Sequence, residues 1–302
     1  MSSLLRNVAL VPDENIGGQL TAAVMSQVAA AIQKQVSRDF GPIWDVKATV
    51  DSFGSLDDVP LGYWPILVGQ EGQGGGGVHL DDNNQPYALV DFTPDWTITA
   101  SHECLEMLAD PFGNRLVAGD GPDPKRPGRV EFLVEVCDPC ETPALGYTVN
   151  GIRVSDFYTP EYFDPSQPTE MRGAARYDFR GHIARPREVL RGGYLSWREP
   201  DGRWYQEKFF GVKPEFPPTI GRFDKSHGSL RAWIDSKTLQ DREALMKKAA
   251  NFPNQVLVKI PGAEDNDLVT KATKERAALL RAQIKAVRTA AKGSKPAKGR
   301  KK

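Results

Sequence analysis

The sequence predicts an α+β fold, in which helices cover one mixed sheet and a loop-rich β region and a basic helical tail follow. Three observations predict it. Strand-like and helix-like periods alternate over the first 110 residues, prolines crowd positions 186 to 218, and residues 271–302 carry 12 Lys or Arg against one acidic residue.

"NVALVP" is rich in β-formers and reads as a strand ending at Pro12. Leu20, Val24, Val28 and Ile32 then recur every four residues, one face of a helix that Gly41-Pro42 ends. "WDVKATVDSF" returns to period two. "YWPILVGQ" is a buried strand, with Pro65 indicating a sheet edge or a strand start. Gly74 to Gly77 suit a flexible loop or a close backbone approach. "VHL" and "YALVDF" read as strands around a turn at "DDNNQP". Thr93-Pro94-Asp95 starts a second helix, half-buried along Trp96, Ala100, Cys104 and Leu108, and Asp110-Pro111 stops it.

The next strand runs from Val130 to Val136, and hairpins turn at Asn150-Gly151 and Asp201-Gly202. "KTLQDREALMKKAANF" is a short helix, Leu280, Ile284, Val287 and Ala291 mark an amphipathic basic one, and "KGSKPAKGRKK" reads as disordered. This organisation divides the chain into a main domain at 1–235, a helical extension at 236–292 and a disordered tail at 293–302.

Composition narrows the function classes. The 302 residues carry 39 basic and 39 acidic side chains. Because the tail contributes 12 basic and one acidic residue, the body is acidic. No apolar run approaches the ~18 residues a membrane span needs, and the N-terminus has no secretory pattern. Three cysteines do not make a disulfide scaffold and fit a reducing compartment. A cytoplasmic or virion-associated protein is expected.

The chemistry centres on "TITASHECLEMLADPFGNRL". Residues four apart share a helix face, so His102 and Glu106 can hold one ion, with Asp110 a further turn along. Glu103 lies roughly 100° around the helix, where the intervening Glu of a His-Glu-x-x-His peptidase acts as general base. A further ligand is expected from "EVCDPCE", with Glu135 and Asp138 both in reach and Glu141 beside them. One His with two carboxylates makes a hard, anionic site. Zinc is the first expectation, and manganese or calcium compete. Acids are common on helix surfaces, so the helix motif alone is weak.

"SHECLEMLADPFGNRL" followed by "EVCDPCE" resembles the Exordium or phosphate-induced protein family and its bacterial and phage-type relatives. The matching positions are His102, Glu103, Glu106, Asp110, Pro111, Glu135 and Asp138, and "YTVNG" extends the similarity within 88–163. The resemblance implies a zincin-like, metallopeptidase-type fold, and architecture more securely than reaction. The chain departs from the plant members in lacking a secretory signal and in carrying a basic tail.

On this reading Glu103 takes a proton from the attacking water, and a peptide or protein substrate adds along an edge strand near 76–80, with Gly76, His79, Tyr177 and His182 as substrate contacts. The alternative is a non-catalytic binding or structural protein of the same fold. In either case the 271–302 tail can make nonspecific contacts with nucleic acid, or it can dock on the acidic body. Cys137-x-x-Cys140 reads as a reduced pair, because Asp138-Pro139 opens a turn where a redox motif needs a helix.

Overall fold

A computed structural model describes residues 5–16, 18–70, 76–82, 84–163, 177–224, 228–246 and 267–293. Gly74, Gly75, His227 and the tail beyond 293 lie outside the described residues, as does the expected helix past Met246.

The described residues form a mixed α+β structure with three sheets. The first sheet has the order β2-β1-β3-β5-β4, from strands β1 (Leu5–Pro12), β2 (Lys47–Ser52), β3 (Tyr63–Gly69), β4 (Gly77–Asp82) and β5 (Gln85–Asp91). Four strands are parallel, and β4 closes the edge antiparallel to β5. The second sheet is antiparallel, in the order β12-β11-β10-β7-β6. Its strands are β6 (Leu116–Asp120), β7 (Arg129–Leu133), β10 (Tyr194–Arg198), β11 (Arg203–Lys208) and β12 (Gly221–Arg222). A small hairpin, β8 (Tyr147–Val149) and β9 (Ile152–Val154), turns at Asn150-Gly151 as expected, and both turn residues have positive φ.

Helix α1 (Ala22–Lys34) is capped by Thr21, whose Oγ1 accepts the Val24 N–H, and it buries Met25, Val28 and Ile32 against the first sheet. It does not stop at Gly41-Pro42. A π-helical turn (Gln35–Phe40) leads into α2 (Gly41–Trp44), where Pro42 occupies the first turn, a position whose N–H has no helical partner in any case. Gly41 is needed there because a Cβ would lie 2.5 Å from the Val46 carbonyl oxygen.

Helix α3 (Trp96–Ala109) begins two residues later than Thr93-Pro94 suggests, and it is buried on nearly every side. The expected half-buried helix is therefore a central one. Its polar residues, among them Ser101, His102, Glu103 and Glu106, lie inside the protein and need partners there. The π-helical turn aims Gln35 at this helix. Gln35 Oε1 accepts the Ser101 hydroxyl at 2.8 Å, and Gln35 Nε2 donates to the Ser155 carbonyl.

Pro65 is neither at an edge nor at the strand start: it is the third residue of β3, which lies between β1 and β5. The β3–β5 pairing begins only at Ile66, so no ladder bond on that side is lost. Strand β7 stops at Leu133, short of the predicted Val136, and residues 134–136 continue as irregular buried chain.

Helix α4 (Leu230–Met246) begins seven residues before the predicted one. Leu230, Trp233 and Ile234 form a small core with Leu133 and Trp204. Helix α5 (Asp267–Gly293) covers the opposite face of the first sheet. Ala277, Leu280 and Ile284 pack against Ala9, Val11, Leu67 and Leu89. Two tail arginines are engaged with the body, Arg281 with Asp57 and Arg276 with the Pro60 carbonyl. No described helix is long and apolar enough to cross a membrane.

Candidate metal centre

The end of β7, the edge strand β4, helix α3 and the start of α4 meet at a buried cluster of charge. His102, Glu103 and Glu106 come from α3, and His79 comes from β4. Glu135 and Asp138 follow β7, with Asp138 opening a 3₁₀ turn to Cys140. Arg231 and Asp235 come from α4. Each of these side chains is at least about nine-tenths buried, and His102 is 8 % exposed.

His102 Nε2 lies 3.3 Å from Glu106 Oε1 and 3.3 Å from Asp138 Oδ1. Glu106 and Asp138 thus approach the same imidazole nitrogen from two sides, and no set of mutually close ligand atoms among the described residues holds all three. Asp138 Oδ1 is buried and makes no hydrogen bond of good geometry, so its charge is met only by the His102 ring at 3.3 Å or by a cation beside it. Glu106 Oε1 also accepts the Cys137 N–H at 3.1 Å, which fixes its direction. On its more open side, Glu141 shares a group with His102 and Asp138 whose ligand atoms lie within 4.8 Å of one another. Cys137 Sγ forms a similar group with His102 and Glu106, but burial keeps its thiol protonated well above the usual range.

Arg231, which carries no motif in the sequence, completes the cluster. Its Nη1 lies 2.9 Å from Asp138 Oδ2 and 3.6 Å from Glu106 Oε2, and it also contacts Glu135 Oε2. Its Nε donates to Asp235 at 2.8 Å and its Nη2 to the Tyr194 hydroxyl at 3.1 Å. Asp138 and Glu106 thus each turn one oxygen to His102 and the other to Arg231. Glu135 meets Arg231 and has no contact with His102. The Glu106–Glu135–Asp138 group that could accept an ion already surrounds this guanidinium. Of the two downstream carboxylates, Asp138 is the one in contact with His102, and Glu135 is in contact with Arg231.

The charges are interdependent. Burial opposes ionisation of Glu106, but the His102 and Arg231 charges outweigh it and hold this carboxyl well below its usual range. Burial, with Glu106 and Asp138 nearby, pushes Glu135 well above it despite Arg231. Burial also disfavours the charged form of His102, but the Glu106 and Glu103 carboxylates raise it well above a free imidazole.

Glu103 sits beside the ion-facing side, with Oε1 4.0 Å from His102 Nε2. Its place requires Gly77, where a Cβ would lie 2.6 Å from Glu103 Oε1 and 2.8 Å from its Cγ. The glycine run thus ends in a close backbone approach to the motif helix. Gly113, with φ +57, plays the same part for α4. Its carbonyl accepts the Arg231 N–H, and a Cβ there would meet the Arg231 Cβ at 2.7 Å.

The remaining expected residues are placed differently. Asp110 is not part of the ion-facing set, because its Oδ2 accepts the Arg115 N–H. The Gly76 carbonyl accepts the Asp91 N–H and is thereby turned into the sheet. His79 is 1 % exposed, so it faces the cluster interior and not an open edge, and Val78 beside it is buried too. The described structure gives a peptide no free backbone at these two positions. Tyr177 is buried, and its carbonyl accepts the Thr159 N–H. His182 contacts Asp156 at 3.0 Å and Asp178 at 3.6 Å, a cluster of its own and not part of the His102 set. All three cysteines are buried free thiols. Comparison with protein-family models, with curated proteins and with solved structures gives no match for this chain.

Proposed function

We propose that the protein is a metal-dependent hydrolase of the metallopeptidase type, with a divalent ion, zinc first, held by His102, Glu106 and Asp138. The observation that carries this reading is the approach of Glu106 Oε1 and Asp138 Oδ1 to His102 Nε2, each at 3.3 Å; an ion among them would draw the two carboxylates closer together than they stand. The zincin-like resemblance of "SHECLEM" and "EVCDPCE" is consistent with it, as is the order of four parallel strands with an antiparallel edge strand beside the motif helix. An ion held there would polarise a carbonyl and acidify water.

The chain's own residues do the rest. Glu103 Oε1 accepts the proton from the attacking water and returns it to the leaving amine. Glu103 is extra to a purely structural site, yet Gly77 is shaped to admit it. Arg231 holds the outer oxygens of Asp138 and Glu106, which orients their inner ones. The test is Glu103→Gln assayed on a broad peptide library. The variant should retain metal and lose hydrolysis. Normal cleavage by that variant would remove Glu103 from the mechanism.

Burial favours a second reading, a non-turnover binding protein stabilised by its metal. Every donor named is at least about nine-tenths buried, and closed sites are typical of structural ions. Stoichiometric metal with no cleavage by the wild-type chain would support it. Salt-sensitive DNA binding lost on deleting 271–302 would then assign the tail.

A further inference from the structure

We infer that the cluster holds a second divalent-cation site, formed by His79 Nδ1, Glu103 Oε2 and Glu106 Oε2, which shares Glu106 with the first centre and in that respect rests on the reading above.

One hydrogen bond orients the His79 ring. His79 Nε2 lies 3.1 Å from the backbone carbonyl oxygen of Asp110. A carbonyl oxygen can only accept, so Nε2 carries the proton and a neutral His79 presents a lone pair at Nδ1. That lone pair faces two carboxylate oxygens, Glu103 Oε2 and Glu106 Oε2, each at 3.7 Å. All three atoms are buried and without a hydrogen-bond partner. Three acceptors turned toward one another in a dry interior repel unless a positive charge lies between them, either a proton on Nδ1, which Glu103 and Glu106 favour against burial, or a metal ion that displaces it.

The wider charge count points the same way. Four buried carboxylates, Glu106, Glu135, Asp138 and Asp235, face the guanidinium of Arg231, and a fifth, Glu103, is buried beside His79 and His102. With Glu135 counted as protonated, one divalent ion and Arg231 leave a single negative charge here, which a proton on His79 or a second cation would balance. Arg231 Nη1 faces Glu106 Oε2 at 3.6 Å, and its charge is already in that count.

The 3.7 Å separations are wider than the about 3.3 Å expected around zinc. One nitrogen with two oxygens at this spacing suits a larger ion with oxygen preference, and manganese fits that donor set. The shared residue has an oxygen for each site, Oε1 toward His102 and Oε2 toward His79. An ion on Glu103 Oε2 would withdraw charge from the proposed base, so excess manganese should slow hydrolysis while raising metal content.

The experiment titrates the full-length chain, saturated with zinc, with Mn2+ and follows unbound Mn2+ by electron paramagnetic resonance. Wild type should take up one Mn2+ per chain beyond its zinc. His79→Gln, checked for folding by circular dichroism, should take up none. No uptake by zinc-loaded wild type, or unchanged uptake by folded His79→Gln, would overturn the second site and leave the first intact. If His79→Gln does not fold, the wild-type titration decides alone. If wild type retains no zinc, the first centre fails separately. The titration of the zinc-free chain then reads the second site, with one Mn2+ supporting it and none overturning it.

Discussion

Arg231 Nη1 lies 2.9 Å from Asp138 Oδ2, while Asp138 Oδ1 lies 3.3 Å from His102 Nε2. One carboxylate therefore joins helix α4 to the motif helix α3. Removing the guanidinium leaves Asp138, Glu106 and Glu135 buried together without their counter-charge. Arg231→Met should destabilise the metal-free protein by about 3–5 kcal/mol. Urea unfolding measures this, and added zinc should recover part of the loss, because an ion that binds only the folded state stabilises it. A loss under about 1 kcal/mol would show that the interior charge is balanced in another way.

Gly77 is a steric requirement and not a conformational one, since its φ is not positive. Gly77→Ala should push Glu103 away and reduce hydrolysis, with a stability loss of about 1–3 kcal/mol from overpacking. Zinc content should stay at the wild-type level, because His102, Glu106 and Asp138 are not what a Cβ at position 77 would meet. Zinc loss in Gly77→Ala would place Glu103 among the ligands of the first centre.

The Asp156 carboxyl is pushed up to about 9 by burial and by the adjacent Asp178. Its folded value lies above its unfolded one, so the folded state binds more protons between about pH 4 and pH 9. Stability from this group is therefore present below the unfolded value and falls as pH rises through that window. Asp156→Asn removes the titration and should flatten the loss of melting temperature between pH 5 and pH 9. An unchanged slope would show that Asp156 is ionised in the fold.

How far the sequence carries varies by residue. The pairing of His102 and Glu106 is legible because helical spacing alone brings them together. "EVCDPCE" is legible because acids crowd one short stretch after a strand. Choosing Asp138 over Glu135 was beyond reach, since it depends on Arg231, 93 residues further on. Arg231 offers one faint signal, a lone cation among Leu230, Ala232, Trp233 and Ile234 with Asp235 one turn later. His79 read as an edge residue because strand period does not show what covers an edge. The full burial of α3 was hidden for a related reason: its polar residues look like a solvent face until their partners from β4, β7 and α4 are in place. The apolar stripe of α5 was plain, but the surface it covers was not.

The central claim is that His102, Glu106 and Asp138 hold a metal ion, and metal content tests it most directly. The protein, purified without added metal or an affinity tag, should carry close to one zinc per chain by mass spectrometry. His102→Ala and Glu106→Ala should each carry almost none. A metal-free wild type, with both variants folding as it does, would contradict the account.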